Sequence, residues 1–427
     1  MGKIQVRNIW YSLLKPFVDH HTLRSFNRYE VVGKNNIPKD GACIFGSNHC
    51  STLVDALVLL ATSPERKVFI ARADIFKKPK TAKILRFLRI LPIFRMRDGL
   101  SEVRDKNSFI IEEAVDVVHD KVPLYLFPEA THRTKHSLRQ LSKGIFHIAL
   151  EANRKFGNEK PVYIVPTGLE YGDYFRFRST VLVSYGKPIN VTEFVKEHPD
   201  DTEAVIINKM KTILTERIAE LISFVPDDAD YDAIWEYAKL KSKIKKYQTL
   251  KQYRDNNKKQ IAKMVELREK EPEKAKALFE KVNEFKKQRV AKKISVKSVS
   301  EKLHVFRTIK KMLLLLVGLP YFIASAVLSC PLWMANAMII KNLKDKAFRN
   351  TVTLCVEMVL HPLMMLVGII LLFCLTPVEV AVFAAVFYYL SYVFFVEYIE
   401  YARLWISDLR WILNKKLRKN FTYLDLF

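Results

Sequence analysis

The chain has 427 residues, 49% of them hydrophobic, with 70 Lys and Arg against 45 Asp and Glu. That hydrophobic content excludes a mostly disordered protein, and five cysteines without paired spacing exclude a disulfide-stapled module or a zinc ribbon. A net charge of +25 invites a nucleic-acid reading, but its placement does not support one. Residues 1–238 carry only +5 and residues 303–427 carry +6, whereas residues 239–302 alone carry +14. Such a basic run beside an apolar tail suits an anionic membrane surface.

Residues 1–24 place Trp10, Leu13, Leu14, Phe17 and Val18 at helical spacing among Lys3, Arg7 and Lys15. This predicts an amphipathic helix, either lying in the membrane interface or packed on the domain that follows. No cleavable signal peptide is visible, and Val6 stands where a myristoylation signal has Ser or Thr.

Residues 25–230 alternate short β-branched runs with helical ones. The predicted strands are 29–32, 42–47, 67–72, 91–94, 123–127, 161–165 and 179–185. The predicted helices are 53–61, 80–88, 101–119, 142–155 and 202–223. Alternation of this kind implies an α/β fold with a central mixed sheet flanked by helices, whose ligands gather at the carboxyl ends of strands.

Four polar blocks follow strands: Asn48–Asp55, Pro92–Gly99, Phe127–Arg133 and Val165–Leu169. His49 meets a carboxylate six positions later, and such a pair makes a general base with Asp55 fixing tautomer and orientation. Six helical steps separate residues by about 240°, so His49 must precede the helix, with Ser51 or Thr52 as N-cap. Arg95, Arg97, Arg133, Arg139, Lys135 and Lys143 supply charge for a phosphate. Arg95 and Arg97 share a face if their segment is extended and diverge if it turns. Cys50 is either an acyl-carrying nucleophile or filler, and Thr134–Gln140 either a mobile loop over the phosphate or a solvated one. No Cys/His cluster has metal-ligand spacing.

These four blocks resemble, in order and separation, the four motifs of the glycerophosphate and lysophospholipid (PlsC-like) acyltransferases, over roughly residues 30–190. His49…Asp55 resembles their histidine–aspartate motif, Pro92–Arg97 the second, Phe127–Thr131 the Phe-Pro-Glu-Gly-Thr motif and Val165-Pro166 the fourth. Five residues separate His49 from Asp55 where four are usual. That spacing, together with Phe177-Arg178-Ser179 and Tyr185-Gly186-Lys187-Pro188, resembles the fungal-type glycerol-3-phosphate acyltransferase branch, which also carries membrane segments after the catalytic domain. Ala130 replaces the family's glycine; if that position has φ > 0, alanine is strained there. His132 shifts the following arginine by one place.

The resemblance implies O-acylation of glycerol-3-phosphate or its 1-acyl product, with His49 as base and Asp55 as its orienting partner. Arg95 or Arg97, with Arg133 and Lys143, would bind the acceptor phosphate, while Glu129, by holding backbone or glycerol hydroxyls, and Thr131 would shape its site. It implies no bound cofactor; an acyl-CoA or acyl-carrier-protein thioester is the co-substrate, and membrane lipids and that donor are the partners, with no nucleic acid. Acylation of a lyso-aminolipid and an inactive scaffold with the same fold are the alternatives.

Residues 231–304 read as a basic helical stalk of one or two amphipathic helices, with a bend at Asp255–Asn257. In the membrane domain, 305–427, Met312–Ile340 is uncharged over 29 residues and holds Pro320 and Pro331. It is about 44 Å long as one straight helix, against about 30 Å of hydrocarbon, which suggests a re-entrant hairpin broken near the prolines. Transmembrane helices follow at about 352–376 and 378–396, then a basic tail. Basic clusters before the first run, between the first two and after the last put all three on the cytoplasmic face, with the catalytic domain. Glu357 and His361, four apart within the second run, are a functional pair or a stitch between helices.

Overall fold

The computed structural model describes residues 3–94, 100–157, 159–242, 248–301 and 305–423. The chain forms two compact units: Met1–Ile222 with Lys346–Thr351, and Ser223–Asp345 with Val352–Phe427.

The first unit is an α/β layer built on β1 (Phe26–Val32), β2 (Ala42–Ser47), β3 (Val68–Arg72), β4 (Ile90–Ile93), β5 (Leu124–Leu126), β6 (Val162–Tyr171), β7 (Ser179–Tyr185) and β8 (Ile189–Asn190). Its helices are α1 (Ile9–Arg24), α2 (Thr52–Leu60), α3 (Pro79–Phe87), α4 (Leu100–His119), α5 (Gly144–Phe156), α6 (Val191–Glu197) and α7 (Glu203–Leu221). Strand order is β1-β7-β6-β2-β5-β3-β4, with β8 on β6. The run β6-β2-β5-β3-β4 is parallel, and β7 joins β6 antiparallel, so the sheet is mixed. Near-continuous apolar runs such as Ala42–Phe45 and Val162–Val165 follow from burial of both sheet faces. β6 outruns its predicted end at Val165 because its second half, Thr167–Tyr171, pairs with β7 after the first half has paired with β2. Gly168 allows α7 to close on β6 there, since a Cβ would lie 2.5 Å from the Leu221 Cβ.

In α1 the side chains of Ile9, Trp10 and Leu13 stand exposed, whereas Tyr11, Lys15, His21 and Thr22 are buried. Lys15 turns inward to ion-pair with Asp19 at 2.5 Å and to donate to the carbonyls of Leu60, at the end of α2, and Ser63 just beyond it. The apolar stripe therefore faces away from the domain, the arrangement an interfacial helix requires.

The second unit contains α8 (Tyr231–Lys241), α9 (Leu250–Lys270), α10 (Pro272–Ala291), α11 (Val296–Ser300), α12 (Val305–Lys341), α13 (Arg349–Leu375, whose first turn clusters with the first unit), α14 (Val378–Leu413) and α15 (Lys415–Tyr423). The lysine-rich stretch expected as a helical stalk is helical, and its helices pack into a bundle. Ile234, Leu278, Val282 and Phe285 share a core with Trp411 and Leu417 from the chain's end. The partners of this segment lie far along the chain, which is why no local periodicity announced them. α9 continues through Asp255–Asn257, and the break falls at Glu271-Pro272, where proline starts α10.

Three helices, within 305–341, 346–375 and 378–413, are long and apolar enough to cross a membrane. The hairpin expected over Met312–Ile340 is one hydrogen-bonded helix of 37 residues that runs through Pro320 and Pro331. Apolar surroundings tolerate proline inside such helices. α12 runs antiparallel to α14: Lys311 pairs with Asp408 at 2.6 Å, the Tyr398 hydroxyl donates to the Leu315 carbonyl and the Tyr321 hydroxyl to that of Phe387. α13 is also antiparallel to α14, with Gly368 on Tyr388 and the His361 ring between Tyr388 and Tyr392.

Candidate active site

Because β5, β2 and β6 are adjacent and parallel, their carboxyl ends bring three of the four predicted blocks to one edge of the sheet. His49 leaves β2 two residues past its end and three before α2 begins. Its Nδ1 stands 2.7 Å from the Asp55 Oδ2, and its ring stacks on Phe127 with centroids 4.3 Å apart. The side chain keeps 18% exposure while Asp55 has none.

Asp55 is held by more than the histidine. Its Oδ2 also accepts the backbone N–H groups of Cys50 and Ser51, each at 2.7 Å, and its Oδ1 accepts the Tyr171 hydroxyl at 2.7 Å. Ser51 does occupy the N-cap, but its hydroxyl makes no cap bond; its N–H serves Asp55 instead. The chain turns between these donors and α2 at Thr52, whose φ is +46°. For a β-branched residue that conformation costs about 1–3 kcal/mol and persists only where the surroundings hold it.

Tyr171 is the participant that sequence reasoning missed. Burial, then the neighbouring Asp55, pushes its phenol well above the ordinary value, so it remains a neutral donor. Its signal is parity: Thr167, Leu169 and Tyr171 share one face of the strand that continues the fourth block. Asn48, buried one residue before the histidine, clamps the same strand by exchanging two hydrogen bonds with the Leu169 backbone.

Glu129 touches backbone. Its Oε1 accepts the His49 N–H at 3.0 Å and its Oε2 the Arg139 N–H at 2.9 Å, and it is 5% exposed. Burial raises its carboxyl above the ordinary value, opposed by the two backbone N–H groups of Arg139 and His49. It ties the third block to the first, as does the Arg133 N–H donating to the His49 carbonyl at 2.8 Å. The Thr131 N–H donates to the Glu129 carbonyl at 2.7 Å, closing a γ-turn centred on Ala130, whose φ is +59°. That is the left-handed backbone that favours the glycine expected there.

Burial and Asp55 push the Cys50 thiol well above its usual value, which leaves it neutral and a poor nucleophile. Thr134–Gln140 is packed at its centre, with His136 and Ser137 buried. Thr131 and Arg133 are half-buried, and Lys143 stands exposed at the N-cap of α5. Arg95 and Arg97 lie outside the described residues. His132 stands edge-on to His49, with centroids 5.9 Å apart. Among the described residues no group of three His, Cys, Asp or Glu is placed to hold a metal ion.

An imidazole with one nitrogen locked to a buried carboxylate presents the other as a proton acceptor. Residues 28–170, which contain His49, Asp55 and Glu129, match the family model described as Acyltransferase. The chain is 27% identical over 193 residues to the 1-acyl-sn-glycerol-3-phosphate acyltransferase alpha of Mus musculus, covering 44% of this chain and 63% of the relative. It is 29% identical over 132 residues to the glycerol-3-phosphate O-acyltransferase 2 of Saccharomyces cerevisiae, covering 30% of this chain and 17% of the relative. The crystal structure of the 1-acyl-sn-glycerophosphate acyltransferase PlsC from Thermotoga maritima aligns with 51% of this chain and 83% of its own, at 19% identity and a TM-score of 0.35.

Proposed function

We propose that the protein is a membrane-bound O-acyltransferase that moves a fatty acyl group from a thioester to a hydroxyl of glycerol-3-phosphate or 1-acyl-glycerol-3-phosphate. The observation that carries this reading is the 2.7 Å contact between His49 Nδ1 and a buried Asp55 that three further donors hold in place. The His49 Nε2 accepts the proton of the acceptor hydroxyl as its oxygen bonds to the thioester carbonyl carbon. The intermediate then collapses, the carbon–sulfur bond breaks, and the thiolate takes the proton from the imidazolium. Asp55 holds the ring and stabilises its positive charge in between.

Acyl-CoA or acyl-carrier protein supplies the thioester. Arg95, Arg97, Arg133 and Lys143 provide cationic charge for the acceptor phosphate, and Glu129 supports the site by fixing the His49 and Arg139 backbone. The catalytic domain faces the cytoplasm. In support, Arg307, Lys310 and Lys311 in the first turns of α12 and the basic residues from Arg403 onward share one end of the antiparallel α12–α14 pair. A Thr376→Cys label that reacts from the cytoplasmic side would contradict this orientation. Substrate class is tested by offering glycerol-3-phosphate, 1-acyl-glycerol-3-phosphate and a lyso-aminolipid with labelled acyl-CoA to the purified chain in lipid. Transfer to the first or second is the expected result; transfer to the lyso-aminolipid alone would replace the assignment.

A further inference from the structure

We propose that Thr351, the third residue of α13, is a positioning residue for the His49–Asp55 pair and acts through Thr52. Segment Lys346–Thr351, which follows the first long apolar helix, belongs to the same compact unit as the site. Both threonines are buried, at 6% and 8% exposure, and their hydroxyls share a hydrogen bond of 2.6 Å across 299 positions of sequence.

The position of that bond gives it a consequence. Thr52 carries the φ of +46° that turns the chain between the Cys50 and Ser51 N–H donors and the helix bearing their acceptor, Asp55. A residue in that region of backbone space relaxes unless something holds it. The Thr351 hydroxyl is such a hold: it anchors the Thr52 side chain and so keeps both N–H groups aimed at the carboxylate. The same segment reaches the site a second time, where Phe348 stands edge-on to His132, centroids 5.6 Å apart, and His132 is in turn edge-on to His49. The start of an apolar helix thus forms part of the machinery that orients the base. Its catalytic meaning rests on the acyl-transfer reading above; its structural meaning does not.

The test uses the full chain in lipid and a readout independent of transfer. In the variant Thr52→Cys/Thr351→Cys, mild oxidation is expected to yield a peptide linked between positions 52 and 351, because hydroxyls this close place the Cβ atoms within disulfide reach. Thr351→Val, which removes the hydroxyl and keeps the shape, should speed amide hydrogen exchange at Cys50 and Ser51 by about tenfold, while Thr351→Ser stays near wild type. In transfer assays kcat should fall about tenfold in the valine variant, with both KM values held and serine restoring the rate. Absence of the linked peptide, unchanged exchange in the valine variant, or equal effects of valine and serine would each overturn the proposal. If exchange responds as expected and the wild type transfers nothing, the acyl-transfer reading fails and the positioning role stands.

Discussion

Replacing Ala130 with glycine is expected to stabilise the first unit, although the change removes a methyl group from a loop beside the site. Ala130 holds φ at +59° at the centre of a γ-turn closed by the Thr131 N–H and the Glu129 carbonyl. An L-residue with a Cβ pays about 1–2 kcal/mol in the left-handed region that glycine does not. Glycine's greater freedom in the unfolded chain returns about 0.5–1 kcal/mol of that gain. The net stabilisation is about 0.5–1 kcal/mol, which for a unit of this size raises the midpoint by about 1–4 °C. Cys50, only 3% exposed, reports on the unit directly: its labelling by a thiol reagent, followed by mass spectrometry along a temperature series, gives the midpoint. A midpoint that falls in Ala130→Gly would show that the alanine methyl packs productively there, and the strain argument would be wrong.

Burial, then the neighbouring Lys15, pushes the Lys67 ammonium down to about 7. Its folded value lies below its unfolded one, so the unfolded chain binds the extra proton between them and stability rises with pH from about 7 toward 10. Lys67→Met should flatten that rise in pH-dependent unfolding; an unchanged slope would remove Lys67 as its cause. In the helical unit, Glu236 has no exposure and pairs with Arg289 at 2.6 Å. Arg289→Met leaves that carboxylate buried with one cation fewer and should cost about 3–5 kcal/mol, read by denaturant unfolding of the unit; a loss below about 1 kcal/mol would mean that Lys239 suffices as its partner. For α1, Trp10 fluorescence should be quenched by lipids brominated near the headgroup; a Trp10 insensitive to them would place the helix away from the bilayer.

Seven of the eight strands were legible because each carries its own signal; the two-residue β8 was not. Ala42–Ser47 and Ser179–Tyr185 occupy the predicted positions because mainly apolar runs end there at polar or glycine residues. Segments whose partners are remote were not legible. The second half of β6 reads as loop until β7 is beside it, and the lysine-rich helices show a core only once Trp411 and Leu417 arrive from the other end of the chain. At the site, His49 and Asp55 were readable from type and spacing, and Ala130 from the missing glycine. Tyr171 was not, since its parity on the strand counts only once β6 is seen to run past Val165 beside β7, and the carboxylate it meets lies 116 positions away. Glu129 was read as shaping the acceptor site by holding backbone or glycerol hydroxyls; the bonds its carboxylate makes are to backbone, the His49 and Arg139 N–H groups.

The most direct measurement is transfer of a labelled acyl group from acyl-CoA to glycerol-3-phosphate and to 1-acyl-glycerol-3-phosphate by the purified chain, beside His49→Ala. The expected result is product with the wild type and a loss of about 10²–10⁴-fold in the variant, the share that a positioned general base contributes. Equal rates in the two proteins would contradict the assignment of His49 as the base.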